Sequence, residues 1–133
     1  MSINIPNILK NHILPFDWDI SKVWKLEALA TTSNREQFDY LLDLPLWSSR
    51  ANQRMPFDTK PLDVIKNPNL SVYHYERIMN ADICYPIDFI FYDGSNKILD
   101  GVHRLSKLYI MNVDTIDIRI HHTSVLSKIS LEA

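Results

Sequence analysis

Asp100, Gly101, His103, Arg104 and Lys107 crowd into one short stretch, "DGVHRLSK". The chain has only two glycines, and Gly101 is one of them. Val102, Leu105, Leu108 and Tyr109 recur at the spacing of a helix that begins just after it. His103, Arg104 and Lys107 therefore fall in the first turns, largely on another side of that helix. A helix start already carries partial positive charge, and each unmatched exposed cation there costs ~0.3–1 kcal/mol. Asp100, at or near the N-cap, offsets part of that cost, and a bound anion would offset more. Free backbone N–H groups, a glycine that permits close approach, and His and Arg donors together describe a cradle for the phosphates of a nucleotide. The same residues also fit an Asp-Gly turn followed by a solvated cationic face, and their spacing alone leaves both readings open.

A hairpin must deliver that turn. Ile87, Phe89 and Phe91 alternate with Asp88, Ile90 and Tyr92, and "DGSN" supplies a bend in which Gly94 can take a positive φ. "KIL" begins the return strand. The helix after Gly101 runs to about Asn112. Ile116, Ile118 and Ile120 then alternate with Asp117, Arg119 and His121, a half-buried strand. Upstream, Ser33 and Glu36 form a capping box, and Phe38, Leu41 and Leu42 extend a helix over residues 34–43 that Pro45 stops. Residues 20–30 alternate partly and read as a strand. "LPLWSSRANQRMPFDTKP" is a connection of the length that often carries function. A short helix follows, with Thr59 as cap, Pro61 in its first turn and Pro68 beyond its end. Val72, Tyr75, Ile78 and Met79 fall on one side of another. Residues 1–16 read as an irregular arm, and "TSVLSKISLEA" as a short terminal helix. The expected class is α/β: a small mixed sheet with surrounding short helices.

The bulk numbers bound the rest. A chain of 133 residues implies one domain. Hydrophobic residues make up 46% and charged residues 23%, which argues against extended disorder. The net charge of −2 lacks the basic excess of a protein that grips a nucleic-acid backbone by charge. Cys84 is the one cysteine, so neither an internal disulfide nor a multi-cysteine zinc site is expected. The N-terminus lacks the pattern of a signal peptide, and no apolar run reaches the length of a membrane span, so the expected location is cytoplasmic.

"PIDFIFYDGSNKILDGVHRLSKLYIMNVDTIDIRI" resembles the core of the ParB/sulfiredoxin superfamily. Pro86-Ile87-Asp88, then Gly101-Val102-His103-Arg104, then Thr115-Ile116 follow the order of sulfiredoxins. Gly101 and Arg104 match the ParB pattern Gly-x-x-Arg-x-x-Ala, with Lys107 in place of the alanine. Asp100, Gly101, His103 and Arg104 match in full the Asp-Gly-x-His-Arg of the free serine kinases in this superfamily. The resemblance implies a core over residues 56–121, a family-specific addition over residues 1–55, and a motif that binds ATP, ADP or CTP. Carried over, Gly101, His103 and Arg104 contact phosphate, with Lys107 beside them. Asp100, with His103, serves in catalysis, as a proton-transfer or Mg²⁺-positioning group. Lys60 and Thr59 are upstream phosphate contacts of the sulfiredoxin kind. Val102 stands where sulfiredoxins hold their thiolate nucleophile, which rules out sulfinate reduction at this position. The implied function is an ATP- or ADP-dependent phosphotransferase acting on a small hydroxylated molecule. The alternatives are a nucleotide-gated or DNA-associated ParB-like module, for whose usual further domains little chain follows residue 121, and a non-catalytic interaction module.

Other chemistry-bearing residues suggest less. His121 and His122 are adjacent on a strand and point to opposite faces, which does not suit one metal ion, so no protein-held metal is expected. His12 and His74 have no recognisable partner in the sequence. Tyr73, His74, Tyr75 and Arg77 crowd one helix and suit either a ligand or packing. Trp18, Trp24 and Trp47 read as core or interface residues, and Cys84 as a packed small residue.

Overall fold

The computed structural model describes residues 4–131; the outermost residues of the expected N-terminal arm and C-terminal helix, 1–3 and 132–133, lie outside the described residues. Four strands, β1 (Thr31–Asn34), β2 (Ile87–Tyr92), β3 (Ser95–Asp100) and β4 (Thr115–His121), form one mixed sheet in the order β1-β4-β2-β3. β2 runs parallel to β4, and the other two pairings are antiparallel. Among the described residues four α-helices accompany it: α1 (Ile20–Val23), α2 (Pro61–Lys66), α3 (Val72–Met79) and α4 (Val102–Ile110). Short 3-10 segments include Arg35–Asp43 and Thr123–Lys128. The chain is therefore mixed α/β, as its patterning implies.

The β2–β3 hairpin closes through Asp93 (φ 49°) and Gly94 (φ 87°), the paired positive φ values that make Asp-Gly the favoured two-residue turn. β2 is buried on both faces. Ile87 and Phe89 pack with Leu105 and Leu108 of α4 and with Leu41 and Leu42, while Ile90 packs with Leu14, Trp18, Val23 and Leu99. Sequence from before residue 55 thus supplies part of both layers and the edge strand β1. α4 carries the chain from edge strand β3 over the sheet to β4. It ends at Ile110 rather than near Asn112. Asn112 takes φ 55° while Val113 N–H bonds Leu108 C=O and Asn112 N–H bonds Tyr109 C=O, a Schellman stop.

Several expectations are corrected. Residues 20–30 hold the single turn α1 and an irregular stretch, not a strand, because Asp19 accepts from Ser21 N–H and starts a helix. Ser33 belongs to β1; the cap of the next segment is Asn34, whose side chain accepts from Glu36 N–H. That segment, Arg35–Asp43, winds as a 3-10 helix. Thr59 does not cap α2. It pairs with Trp47 through backbone bonds, Trp47 N–H to Thr59 C=O at 3.1 Å and Thr59 N–H to Trp47 C=O at 2.9 Å, and Lys60 takes the cap position. On α3 the buried residues are His74 and Ile78, whereas Val72 and Met79 face solvent. On β4, Ile120 is exposed and His121 is buried. Cys84 is exposed rather than packed.

Candidate functional site

Gly101 caps α4 with φ 118° and ψ 11°, and no side chain caps the helix start. Leu105 N–H takes up Gly101 C=O at 2.8 Å as the first helical bond, while the amides of Val102, His103 and Arg104 precede it. Two cavities open at this point. The larger, about 400 Å³, is walled by Trp18, Trp47, Arg54 and Tyr73. The smaller, about 270 Å³, is walled by Trp24, Asp82 and Arg104. Arg77, Asp100, Gly101 and His103 line both. The turn after β3 is thus the waist of a two-lobed cleft.

The cationic residues of the motif part company there. Arg104 curls back beside the turn, its Nη2 donating to Pro86 C=O at 3.0 Å and to Asp100 Oδ2 at 3.2 Å. Its Nε is buried without an acceptor among the described residues. The other donor to Asp100 Oδ2 is Trp24 Nε1 at 2.7 Å. Lys107 lies away from the cleft and donates to Met79 C=O at 2.8 Å and Ala81 C=O at 3.0 Å, satisfying carbonyls at the end of α3. Lys60 faces Asp43 at 3.3 Å on the surface, and Thr59 is buried beside Asp58 and Trp47. Of the sequence-derived candidates, Asp100, Gly101, His103 and Arg104 all border the cleft, but His103 and Arg104 point apart; Lys107, Lys60 and Thr59 do not reach it.

His103 turns the other way, into an aromatic stack. Trp47 covers two imidazoles at once, with ring centroids 4.2 Å from His103 and 4.5 Å from His74 and planes within 10°. The two histidines meet edge to edge, His74 Nδ1 to His103 Nε2 at 3.0 Å, and His74 Nε2 meets Ser48 C=O at 2.8 Å. The loop behind them is tied by the Trp47–Thr59 bridge and by Ser49, whose N–H and Oγ both donate to Asp58. Burial pushes the His103 pKa down to about 3, and the Arg77 guanidinium, His74 and Arg104 push the same way. Burial also lowers His74, against the opposing pull of the Ser48 carbonyl.

These shifts set an acid limit. His103 is neutral in the folded chain from its ordinary 6.5 down to about 3, whereas the unfolded chain takes up a proton in that window. The contribution of His103 is complete above pH 6.5 and falls by about 1.4 kcal/mol per pH unit as pH drops toward 3, and His74, also lowered, adds a loss of the same sign. Urea midpoints between pH 7 and pH 4 should show at least this slope, and His103→Asn should reduce it by about 1.4 kcal/mol per pH unit. An unchanged slope in the variant would assign the acid loss elsewhere.

Two cleft residues carry positive charge that the motif does not contain. Arg77 has no ion-pair partner among the described residues; its guanidinium stands 5.6 Å from the Tyr73 ring. Arg54 lies 3.8 Å over Trp18 and pairs with Asp17 at 2.6 Å. Arg77 is visible in sequence only as part of an aromatic-basic cluster, and nothing in the sequence links Arg54 to the site. Among the described residues no group of three or more His, Cys, Asp or Glu gathers as a metal site. No helix among them is long and apolar enough to cross a membrane. Set against known proteins, the chain matches no family model, no curated protein and no solved structure.

Proposed function

We propose that the chain is a nucleotide-binding protein of ParB/sulfiredoxin-like fold and an ATP- or ADP-dependent phosphotransferase for a small hydroxylated substrate. The observation that carries this reading is the uncapped start of α4 at a left-handed glycine, opening into a cleft with an unpaired guanidinium, Arg77, at its waist. Backbone N–H groups and guanidinium groups are the donors that polyphosphates select. A lobe of about 400 Å³ lies in the range of nucleotide-sized sites, and its aromatic walls suit a base. Phosphoryl transfer asks mainly for positioning and charge stabilisation, so Arg77, Arg104 and the α4 amides supply the required chemistry. Mg²⁺ arriving with the nucleotide needs one or two carboxylates; Asp82 and Asp100 line the smaller lobe. Asp100, already fixed by Trp24 and Arg104, suits that anchoring role better than the role of a mobile base.

A thermal-shift series with ATP, ADP and CTP, with and without Mg²⁺, tests the reading. One nucleotide at about 100 times its Kd should add ~2.7 kcal/mol, a rise of about 8–11 °C for a chain of this size. Arg77→Ala, at an exposed position, should leave the unliganded midpoint in place and weaken binding tenfold or more. If no nucleotide moves the native midpoint, the reading is wrong. Binding without turnover in the presence of hydroxylated acceptors would leave the nucleotide-gated module.

A further inference from the structure

We propose that His74, anchored on the Ser48 carbonyl and roofed by Trp47, is a positioning residue that fixes His103 as a hydrogen-bond acceptor. The group His103 meets in the cleft is then a hydroxyl donor and not a phosphate oxygen. This deepens the phosphotransferase reading and rests on it for the identity of the cleft.

The argument follows the protons. A backbone carbonyl can only accept, so at 2.8 Å from Ser48 C=O the His74 Nε2 must carry hydrogen. A buried neutral imidazole holds one ring proton, which leaves His74 Nδ1 as a lone pair. The nitrogen 3.0 Å away, His103 Nε2, must then be the donor. His103 is in turn left with a lone pair at Nδ1, which has no partner among the described residues, on a residue that lines both lobes. The stacked indole covers both rings and holds them in register. A lone pair repels a phosphate oxygen and accepts from a hydroxyl, so the two functions of the cleft separate: phosphates to the amides and guanidinium groups, the acceptor alcohol to His103.

The same wiring gives the transferred proton a route. As the alcohol oxygen bonds the terminal phosphorus and the bond to the leaving nucleotide breaks (ADP released from ATP, or AMP from ADP), the hydroxyl proton passes to His103 Nδ1. The Nε2 proton of His103 moves to His74 Nδ1, and the cation rests on His74, where Nε2–H donates to Ser48 C=O. Return of one proton to solvent resets the pair.

The test is ¹⁵N-detected histidine NMR on the full chain near pH 7. His103 should show a pyrrole-like Nε2 and a pyridine-like Nδ1, and saturation with ADP should keep Nδ1 pyridine-like. His74→Asn, whose Oδ1 can stand in for the lost lone pair, should preserve that pattern; His74→Phe should scramble it into a tautomer mixture. A His103 with the proton on Nδ1, conversion to imidazolium on ADP addition, or an unchanged pattern in His74→Phe overturns the proposal. Calorimetry with ADP on the same samples decides the nucleotide reading separately, because the free-chain spectra of the native protein and the two His74 variants already decide the tautomer without any ligand.

Discussion

Asp88→Ala should cost ~3–5 kcal/mol, a large share of the 5–15 kcal/mol available to a domain of ordinary stability. Asp88 is 2% exposed, and its Oδ1 accepts from Arg119 Nε at 2.6 Å and His121 Nε2 at 2.9 Å. Burial alone would push its carboxyl up. The hydrogen bonds from His121 and Arg119 and their charge outweigh it and hold the carboxyl below its ordinary value. Its removal leaves the largely buried Arg119 without a counter-charge, and that desolvated cation causes most of the loss. Arg119 Nη1 also donates to Leu26 C=O at 2.8 Å and Nη2 to Val23 C=O at 3.4 Å. The damage therefore spreads to the turn that carries Trp24, and through Trp24 to Asp100 at the cleft. Equilibrium urea unfolding gives the size of the effect. The double variant Asp88→Leu, Arg119→Met should recover a good part of it, since an apolar pair of similar volume replaces both charges. A single-variant loss under 1 kcal/mol would mean that Arg119 reaches water and that the cluster is peripheral. Because the Asp88 pKa is depressed, its own contribution is present above pH 3.8 and is lost only below that.

That cluster also marks where sequence reasoning stops. The hairpin, α4 and β4 follow from alternation, an Asp-Gly turn and helical spacing, because those signals are local. The alternation of Ile116, Ile118 and Ile120 places β4 correctly, yet it misses that His121 is the buried residue at the strand's end. The pull on His121 comes from Asp88, a neighbour across a parallel pairing. α3 shows the same limit. Val72, Tyr75, Ile78 and Met79 look like its buried face by hydrophobicity, but His74 displaces Val72 and Met79 because Trp47 and His103 offer it a stack and a hydrogen bond. Neither partner is within reach in sequence. The motif itself was legible and half of its chemistry was not. The cations after Gly101 read as a converging set, whereas in space Lys107 closes α3, Arg104 leans on Asp100, and His103 is held neutral. The unpaired charge at the waist comes from Arg77, on a different helix. A spacing rule reports which side chains share a helix face; it carries no information on what the rest of the chain brings against that face.

Gly101→Ala should lose ~2–6 kcal/mol and with it the response to nucleotide, and a paired substitution shows why. Gly101 sits at φ 118°, a conformation that costs an L-residue ~1–3 kcal/mol. A Cβ there would stand 3.0 Å from Ile87 Cγ2 and 3.1 Å from Arg104 Nη2. Ile87 is 1% exposed and locked into the sheet core, so it cannot yield without repacking, which adds ~1–3 kcal/mol. Arg104 can yield, but only by leaving Pro86 C=O and Asp100. Gly94 has a similar backbone problem at φ 87° and no steric one, since nothing lies within 4 Å of its would-be Cβ. Gly94→Ala should therefore lose ~1–2 kcal/mol from strain alone and keep its nucleotide response. Thermal unfolding of the two variants, each with and without the stabilising nucleotide, separates close approach from turn geometry. Equal losses would mean that Gly101 is retained for its φ alone. A Gly101→Ala chain that is destabilised yet still shifts fully with nucleotide would mean that the phosphates bind elsewhere than at the start of α4.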